Sequence, residues 1–207
     1  MRVLIACEFS GTVRRAFADR GHDAWSCDLL EAEDQSKNHI IGDARDYLSD
    51  GWDLMVAHPP CTRLCNSGVR WLHNPPIGKT LASMWDDLRD GAALFSAFWN
   101  APIERIAVEN PIMHKHARAQ IKNFQPPSQV IQPWMFGHGE TKATCLWLRG
   151  LPPLQPSDVV KGRLARVHRM PPSADRWKER SRFFDGIAKA MAEQWGNATS
   201  STQPGAR

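Results

Sequence analysis

Long apolar runs are missing from this chain: none approaches the roughly 20 residues a membrane span requires. The amino-terminal stretch Met1-Arg2-Val3-Leu4-Ile5-Ala6-Cys7-Glu8 has too short a hydrophobic core for a secretory signal. Cysteine is scarce as well, with 5 in 207 residues. The number is odd, the spacing is not dense, and no paired C-x-x-C occurs. That pattern argues against a disulfide framework and for a reduced, cytoplasmic setting. No internal repeat is visible. What remains is a chain that is 42% apolar and 23% charged, globular in composition and long enough for one domain with a real core.

Excess positive charge is absent from most of the chain and concentrated in one late segment. Residues 161 to 182 hold Lys161, Arg163, Arg166, Arg169, Arg176, Lys178, Arg180 and Arg182 against Asp175 and Glu179. That is a net +6 where the whole chain carries +4, so the remainder is slightly acidic. Such a patch suits a phosphate backbone, although a solvated surface loop has the same composition.

The stretch Trp52 to Thr62 organises the rest. Leu54 to Ala57 is unbroken apolar sequence, the pattern of a strand buried on both faces of a parallel sheet. His58-Pro59-Pro60 ends it, because proline cannot donate to a ladder and stiffens the turn. Cys61 is thereby placed just past the carboxyl end of a buried strand, where open α/β sheets bind ligands. Val3–Cys7, Ala24–Asp28, His39–Asp43 and Arg105–Glu109 read as further strands. The first is followed by the turn Glu8-Phe9-Ser10-Gly11-Thr12, with Ser10 or Thr12 available as a helix cap. A helix then runs toward Gly21. Asp28 lies about 20 residues past that turn, as in sites that hold a nucleotide ribose. Residues 81 to 99 have the apolar spacing of a long amphipathic helix, and His114 to Ile121 reads as helical. Gln129–Gln132 and Ala143–Leu148 read as an antiparallel strand pair around Gly137-His138-Gly139. Residues 150 to 182, rich in Pro and Arg without periodicity, read as an exposed loop or small subdomain. Residues 187 to 195 give a closing helix, and Asn197 to Arg207 a frayed tail.

Asp28, Asp43, Cys61 and Glu109 thus fall on one edge of one expected sheet. A cysteine becomes a nucleophile when a helix amino terminus or a cation favours its thiolate, and Arg63 lies two residues on. A glutamate on the neighbouring strand can exchange a proton with a reacting ring. Individually, Cys61 reads as a structural thiol and Glu109 as a salt-bridged strand end; at consecutive strand ends the functional reading is the stronger. His58, Cys61, Cys65 and His73 could instead ligate zinc, but the intervening prolines and the spacing argue against it. Cys7, Cys27 and Cys145 read as core residues. Trp71, Trp85, Trp134 and Trp147 could include a base-stacking platform, with none singled out.

These residues resemble the cytosine-5 DNA methyltransferases, and most closely the small phage or prophage DNA methylases. The likeness rests on Pro60-Cys61 after a buried strand, Glu109-Asn110 at the end of the next, acids at 28 and 43, and Phe136 to Leu148 as a late strand pair. The resemblance implies a Rossmann-like S-adenosylmethionine-dependent methyltransferase fold, α/β, mostly parallel with a late antiparallel pair. It implies that Cys61 attacks carbon 6 of a flipped cytosine while Glu109 holds and protonates ring nitrogen 3. Methyl transfer to carbon 5 follows, and a base then removes the carbon-5 proton as the enzyme is eliminated. Glu8, Phe9, Ser10, Gly11 and Pro59 would line S-adenosylmethionine, with Asp28 on its ribose and Asp43 on its adenine amino group. Pro60, Thr62, Asn110, Thr141 and Lys142 would surround the base, and Arg163, Arg166 and Arg169 would meet double-stranded DNA. The expected organisation is a core over 1–149, a basic recognition segment over 150–182, a closing helix over 183–196 and a disordered tail. No metal is expected, and the protein is read as a cytoplasmic monomer.

The chain departs from the family pattern in several places. It lacks Phe-x-Gly-x-Gly in the cofactor loop. It has Thr62 where Gln is common and Pro111 where Val is. It has no late Arg-x-Arg, Thr141-Lys142 being the nearest substitute, and no large recognition domain. Methylation of an exocyclic amino group, by enzymes with a related Asp/Asn-Pro-Pro-aromatic loop, remains an alternative. So do cytosine methylation in RNA or free nucleotides and a catalytically silent nucleic-acid-binding protein.

Overall fold

The apolar runs become strands because they can be buried on both faces at once. In the computed structural model, which describes residues 1–173 and 176–197, they are β1 (Arg2–Ala6), β2 (Asp23–Asp28), β3 (His39–Ile41), β4 (Leu54–Ala57) and β5 (Arg105–Asn110). With β6 (Gln129–Ile131) and β7 (Thr144–Arg149) they form a seven-stranded sheet in the order β3-β2-β1-β4-β5-β7-β6. The first five pair in parallel. β7 runs antiparallel to both β5 and β6. The α/β class, the mostly parallel sheet and the late antiparallel strands are as the sequence predicts.

Alternate residues of each strand serve opposite faces. Val3, Ile5, Leu54 and Val56 pack with Val13 and Phe17 of α1 (Thr12–Ala18) and with Ile187, Met191 and Trp195 of α6 (Asp185–Gly196). Leu4, Ala6, Met55 and Ala57 face α2 (Leu81–Trp99), whose Met84, Leu88, Phe95 and Phe98 are buried. Phe95 meets Trp147 edge-on at 5.1 Å. A side chain of this size, fully buried, contributes roughly 1.5–3 kcal/mol. α2 begins at a reciprocal cap, in which Thr80 Oγ1 accepts from Ser83 N and Ser83 Oγ accepts from Thr80 N, each at 3.1 Å. The strand order reverses between β1 and β4, which opens a crevice at their carboxyl ends.

Several local expectations are corrected. α1 is capped neither by Ser10 nor by Thr12: its N-cap is Gly11, in the left-handed region at φ 68°, and no side chain of that residue can cap. Glu8 reaches past it, its buried carboxylate accepting from Val13 N at 2.6 Å and Arg14 N at 3.1 Å. α1 also stops at Ala18, short of Gly21. β3 ends at Ile41, and Asp43 caps a short 3-10 helix, Ala44–Tyr47. The polar loop after Cys61 contains another 3-10 helix, Asn66–Leu72, because Leu64 and Leu72 have core to enter. Residues 150 to 182 are no free-standing loop. Their backbone is laced to the segment before β7: Gly137 N donates to Asp158 O at 2.7 Å, Val160 N to Trp134 O at 3.0 Å and Leu164 N to Gly139 O at 2.9 Å. Two short helices, α4 (Arg166–Arg169) and α5 (Arg176–Ser181), follow, and α3 (Lys115–Gln120) matches the expected helix after His114. Asp175 and nearly all of the expected tail, 198–207, lie outside the described residues.

Replacing Glu8 with Ala should cost about 1–3 kcal/mol, since two helix-terminal N–H groups lose their acceptor in a buried place. Ser10→Ala, at the weaker 3.4 Å contact with Thr12 N, should cost much less. Urea denaturation of the two variants checks this. Burial raises the Glu8 carboxyl, and the charge of His58 and the two N–H groups offset this only in part. The folded form therefore holds the proton more tightly. Its contribution to stability is greatest at low pH and declines as pH rises through the ordinary glutamate value toward the folded one. Glu8→Gln should flatten that part of the curve.

Candidate active site

At the end of β4 the chain loses donors, since neither Pro59 nor Pro60 has an N–H. The turn is held from the neighbouring strand: Asn110, fully buried at the end of β5, donates Nδ2 to Pro59 O at 2.9 Å. Pro59 is buried, whereas Pro60 and Thr62 are exposed. Cys61 O then accepts from both Leu64 N and Cys65 N at 3.0 Å, closing a helical turn. Gly68 packs on this turn, and any Cβ there would collide with the Thr62 carbonyl oxygen, so only glycine fits.

Beyond this turn, Cys65 immediately precedes the 3-10 helix Asn66–Leu72. The two thiols interact directly. Interaction with Cys61 draws the Cys65 thiol down against its burial, helped by the Ser67 hydroxyl and the N–H groups of Ser67 and Gly68. Cys65 Sγ lies 3.1 Å from Ser67 Oγ. The same contact with Cys65, then burial and the Glu109 charge, push Cys61 far up, opposed by Lys142. Arg63 does not serve Cys61. Its Nε binds Asp87 Oδ2 on α2 at 3.2 Å. The cation that acts on Cys61 is Lys142, from the loop before β7.

Glu109 is 12% exposed and sits beside His58, whose Nδ1 is 3.6 Å from Glu109 Oε2. Burial alone would raise this carboxyl, but His58 and Lys142 outweigh it and hold it below its ordinary range. Lys142 is positioned by its Nζ donating to Arg180 O at 3.1 Å and its backbone N donating to Gln132 Oε1 at 3.0 Å. Thr141 N donates to Leu164 O at 2.9 Å, which ties the expected base-contacting pair to the 150–182 segment.

Along the neighbouring edge, the loop from Glu8 to Gly11 leads into α1. Glu8 is turned under the helix, as above. Phe9 is partly exposed, its ring 6.1 Å from Trp177 and 5.5 Å from Lys178 Nζ. Ser10 and Gly11 are buried. Asp28 ends β2, with Oδ1 accepting from Leu30 N at 3.0 Å, and burial raises its carboxyl despite that bond. Leu29 and Leu30 beside it are 74% and 43% exposed, leaving apolar surface next to a polar acceptor. That acceptor and the apolar surface beside it have the chemistry to hold the ribose diol and flat ring of a nucleoside. Asp43 is differently engaged: both of its oxygens hold the Arg45 guanidinium, which lowers its carboxyl.

The basic segment directs part of its charge inward. Arg166 Nε binds Glu140 Oε1 at 3.0 Å, while Lys178 and Arg182 both hold Glu33 at 2.9 Å. Arg163 lies 3.9 Å over the Trp134 ring and is exposed, as is Arg169. Trp147 is core, and Trp85 packs edge-on against His116 at 5.4 Å. Trp177, 58% exposed, stands instead against Phe9 of the loop before α1. Among the described residues, no cluster of three His, Cys, Asp or Glu side chains is placed to hold a metal ion, and no helix is long and apolar enough to cross a membrane. Cys27 and Cys145 are buried and raised by burial, to about 12 and about 11; Cys7 is only partly buried, at φ 58°.

No protein-family model matches the chain, and no curated protein matches it. Among solved structures, a methyltransferase of Entamoeba histolytica superposes with TM-score 0.50 at 14% identity, over 77% of this chain and 57% of its own. A protein described as a DNA modification methyltransferase encoded within an E. coli prophage gives 0.48 at 13%, over 83% and 55%. The Dnmt2 methyltransferase of S. pombe gives 0.41 at 15%, over 82% and 53%. The chain therefore spans little more than half the length of these proteins. The Entamoeba likeness, with the sheet order, shows a methyltransferase fold.

Two features of the site were not predicted. Cys65 was weighed only as a metal ligand, although its spacing of four from Cys61 is that of one helical turn. The pairing of His58 with Glu109 carries no local sequence signal. Replacing Cys65 with Ala should lower the Cys61 thiol and speed its alkylation by iodoacetamide at pH 8, about tenfold for each unit by which its pKa falls. Peptide mass spectrometry of timed samples measures the rate.

Proposed function

We propose that the protein transfers a methyl group from S-adenosylmethionine to carbon 5 of cytosine in DNA, through a covalent adduct of Cys61 with a flipped base. The observation that carries this reading is the placement of Cys61 just past β4 and Glu109 at the end of the adjacent parallel strand β5, tied by Asn110 to Pro59, with Lys142 acting electrostatically on both. A nucleophile and a proton-exchanging acid so arranged can address two atoms of one planar ring. A cytosine stacked in a duplex cannot reach them, so the base must be extruded.

In this reading Phe9 and the loop to Gly11, with Pro59, flank the cofactor, and Asp28 receives its ribose diol. Bound there, the cofactor supplies an electrophilic methyl group. Cys61 attacks carbon 6 as its proton passes within the Cys61–Cys65 pair. Glu109 holds and protonates ring nitrogen 3, with Lys142 in the place of the missing arginines. Pro60, Thr62 and Asn110 form the wall around the base, and Thr141 fixes the approach of Lys142. Exposed Arg163 and Arg169 face the DNA backbone, with Arg166 sharing its charge with Glu140. Residues 150–182 act as a small recognition element in a cytoplasmic protein. The coupling that pushes the Cys61 thiol up favours a thiol at rest, made reactive only once a base is bound.

Labelled cofactor and cytosine-containing DNA test the proposal. Methyl transfer should appear at carbon 5 and be abolished in Cys61→Ala, and 5-fluorocytosine DNA should trap the wild type but not that variant. Label on an exocyclic nitrogen, or an inert wild type, would overturn it. Arg163→Ala with Arg169→Ala should weaken DNA binding and reduce its salt slope by up to about two, leaving cofactor affinity unchanged.

A further inference from the structure

His58 has no task in the reaction above, yet the fold holds it firmly. Its backbone N donates to Ala6 O at 2.9 Å, which fixes it at the crevice between β1 and β4. Its side chain is 12% exposed, with Nδ1 3.6 Å from Glu109 Oε2. At that separation it is just outside hydrogen-bond length, and both ring nitrogens are buried with no hydrogen-bond partner. Phe183, from the connection between α5 and α6, covers the ring at 4.7 Å and 52°. Unpaired buried nitrogens are costly, so their retention beside a buried acid calls for a reason.

The groups facing this ring come from each element around it. Glu109 projects from the end of β5. Glu8 approaches from the loop after β1, and its carboxyl responds to the His58 charge. Phe183 offers no charge. Lys142, from before β7, acts on Glu109. The imidazole thus acts on two buried carboxyls: Glu8, which caps α1, through its charge, and Glu109, 3.6 Å away.

We propose that His58 is a positioning residue and the proton partner of Glu109. It holds the carboxylate through Oε2 and supplies the proton that Glu109 passes to ring nitrogen 3. The inference rests on the reading of Glu109 as the acid that holds the base. The imidazolium Nδ1–H bond breaks as an O–H bond forms on the carboxylate. That O–H bond breaks as the ring N3–H bond forms, its electrons staying on oxygen. His58 is left as neutral imidazole, and the developing negative charge on the attacked ring is neutralised. When the carbon 6–sulfur bond breaks at the end of the reaction, the N3 proton returns by the same route. Phe183 keeps bulk water from the pair, so the proton is not lost to solvent.

The experiment reads Glu109 directly. Carboxyl 13C NMR titration of the free protein should place its midpoint below the usual glutamate range in wild type and about one unit or more higher in His58→Ala. His58→Gln, which restores a donor but cannot carry the proton, should recover part of that shift. In single-turnover assays both variants should transfer methyl roughly 10²-fold more slowly or worse, with KM for DNA within about threefold of wild type. An unchanged Glu109 midpoint in His58→Ala overturns the pairing, whatever the activity. A His58→Gln enzyme with full kcat overturns proton supply. A wild type inert on cytosine DNA overturns the functional reading, and the titration still decides the pairing separately.

Discussion

The hydrogen bond from Asn110 Nδ2 to Pro59 O is the constraint on which the candidate site depends. Two successive prolines end β4 sharply, but they also strip the turn of its own donors. A loop without donors cannot hold a reactive side chain to a fraction of an ångström by itself. The neighbouring strand does so instead, and the same strand carries Glu109. Cys61 and Glu109 are therefore not two loops that happen to meet; they hang from one buried bridge between adjacent parallel strands. Gly68 completes the arrangement from below, where a side chain would drive the Thr62 carbonyl out of place.

The basic segment has two characters. Its first part is laced by backbone hydrogen bonds to the loop before β7, which fixes Thr141 and, through Arg180 O, the Lys142 ammonium. Its last part, α5, buries no residue and is held by Lys178 and Arg182 on Glu33 and by aromatic contact with Phe9. Exposed ion pairs contribute little each, about 0–1 kcal/mol. The cover over the loop from Glu8 to Gly11 is thus the weakly attached part of the molecule, while Phe183, which covers His58, leads directly into α6 and its core.

The strands were legible because a parallel sheet buried on both faces demands unbroken apolar runs, and Leu54–Ala57 and Ile106–Val108 have no other use. The edge residues followed, since Asp28, Cys61 and Glu109 come directly after such runs. What sequence could not give was any contact made across the sheet. Glu8 caps a helix from three residues before its N-cap, outside the local window where caps are sought. Asp43 sits where an acid was expected but is taken up by Arg45, a partner only two residues away. Residues 150 to 182 lack periodicity because their order comes from backbone bridges to another segment, which ask for no side-chain pattern. Lys142, named only as the nearest substitute for missing arginines, gains its meaning from lying within electrostatic reach of both Cys61 and Glu109.

The pairing of acids, thiols and imidazole at this edge has a common logic. Cys61 alone in a buried site would be a poor nucleophile, since burial and Glu109 both oppose its thiolate. Beside it stands a thiol drawn down chiefly by Cys61 itself, with help from the Ser67 hydroxyl and the N–H groups of Ser67 and Gly68. The pair as a whole therefore carries negative charge more readily than Cys61 does, and only a proton shift within it is needed to place that charge on the Cys61 sulfur. Glu109 has the opposite problem, its carboxyl held low where the proposed reaction wants an acid, and His58 lies against it. On the proposed reading, the group that would touch the substrate is in each case in the unreactive protonation state, and a buried neighbour would exchange the proton with it. In the proposed reaction, reactivity at this edge is then conditional on a ring entering between the two pairs, which would protect a thiol and a carboxyl from idle chemistry in its absence.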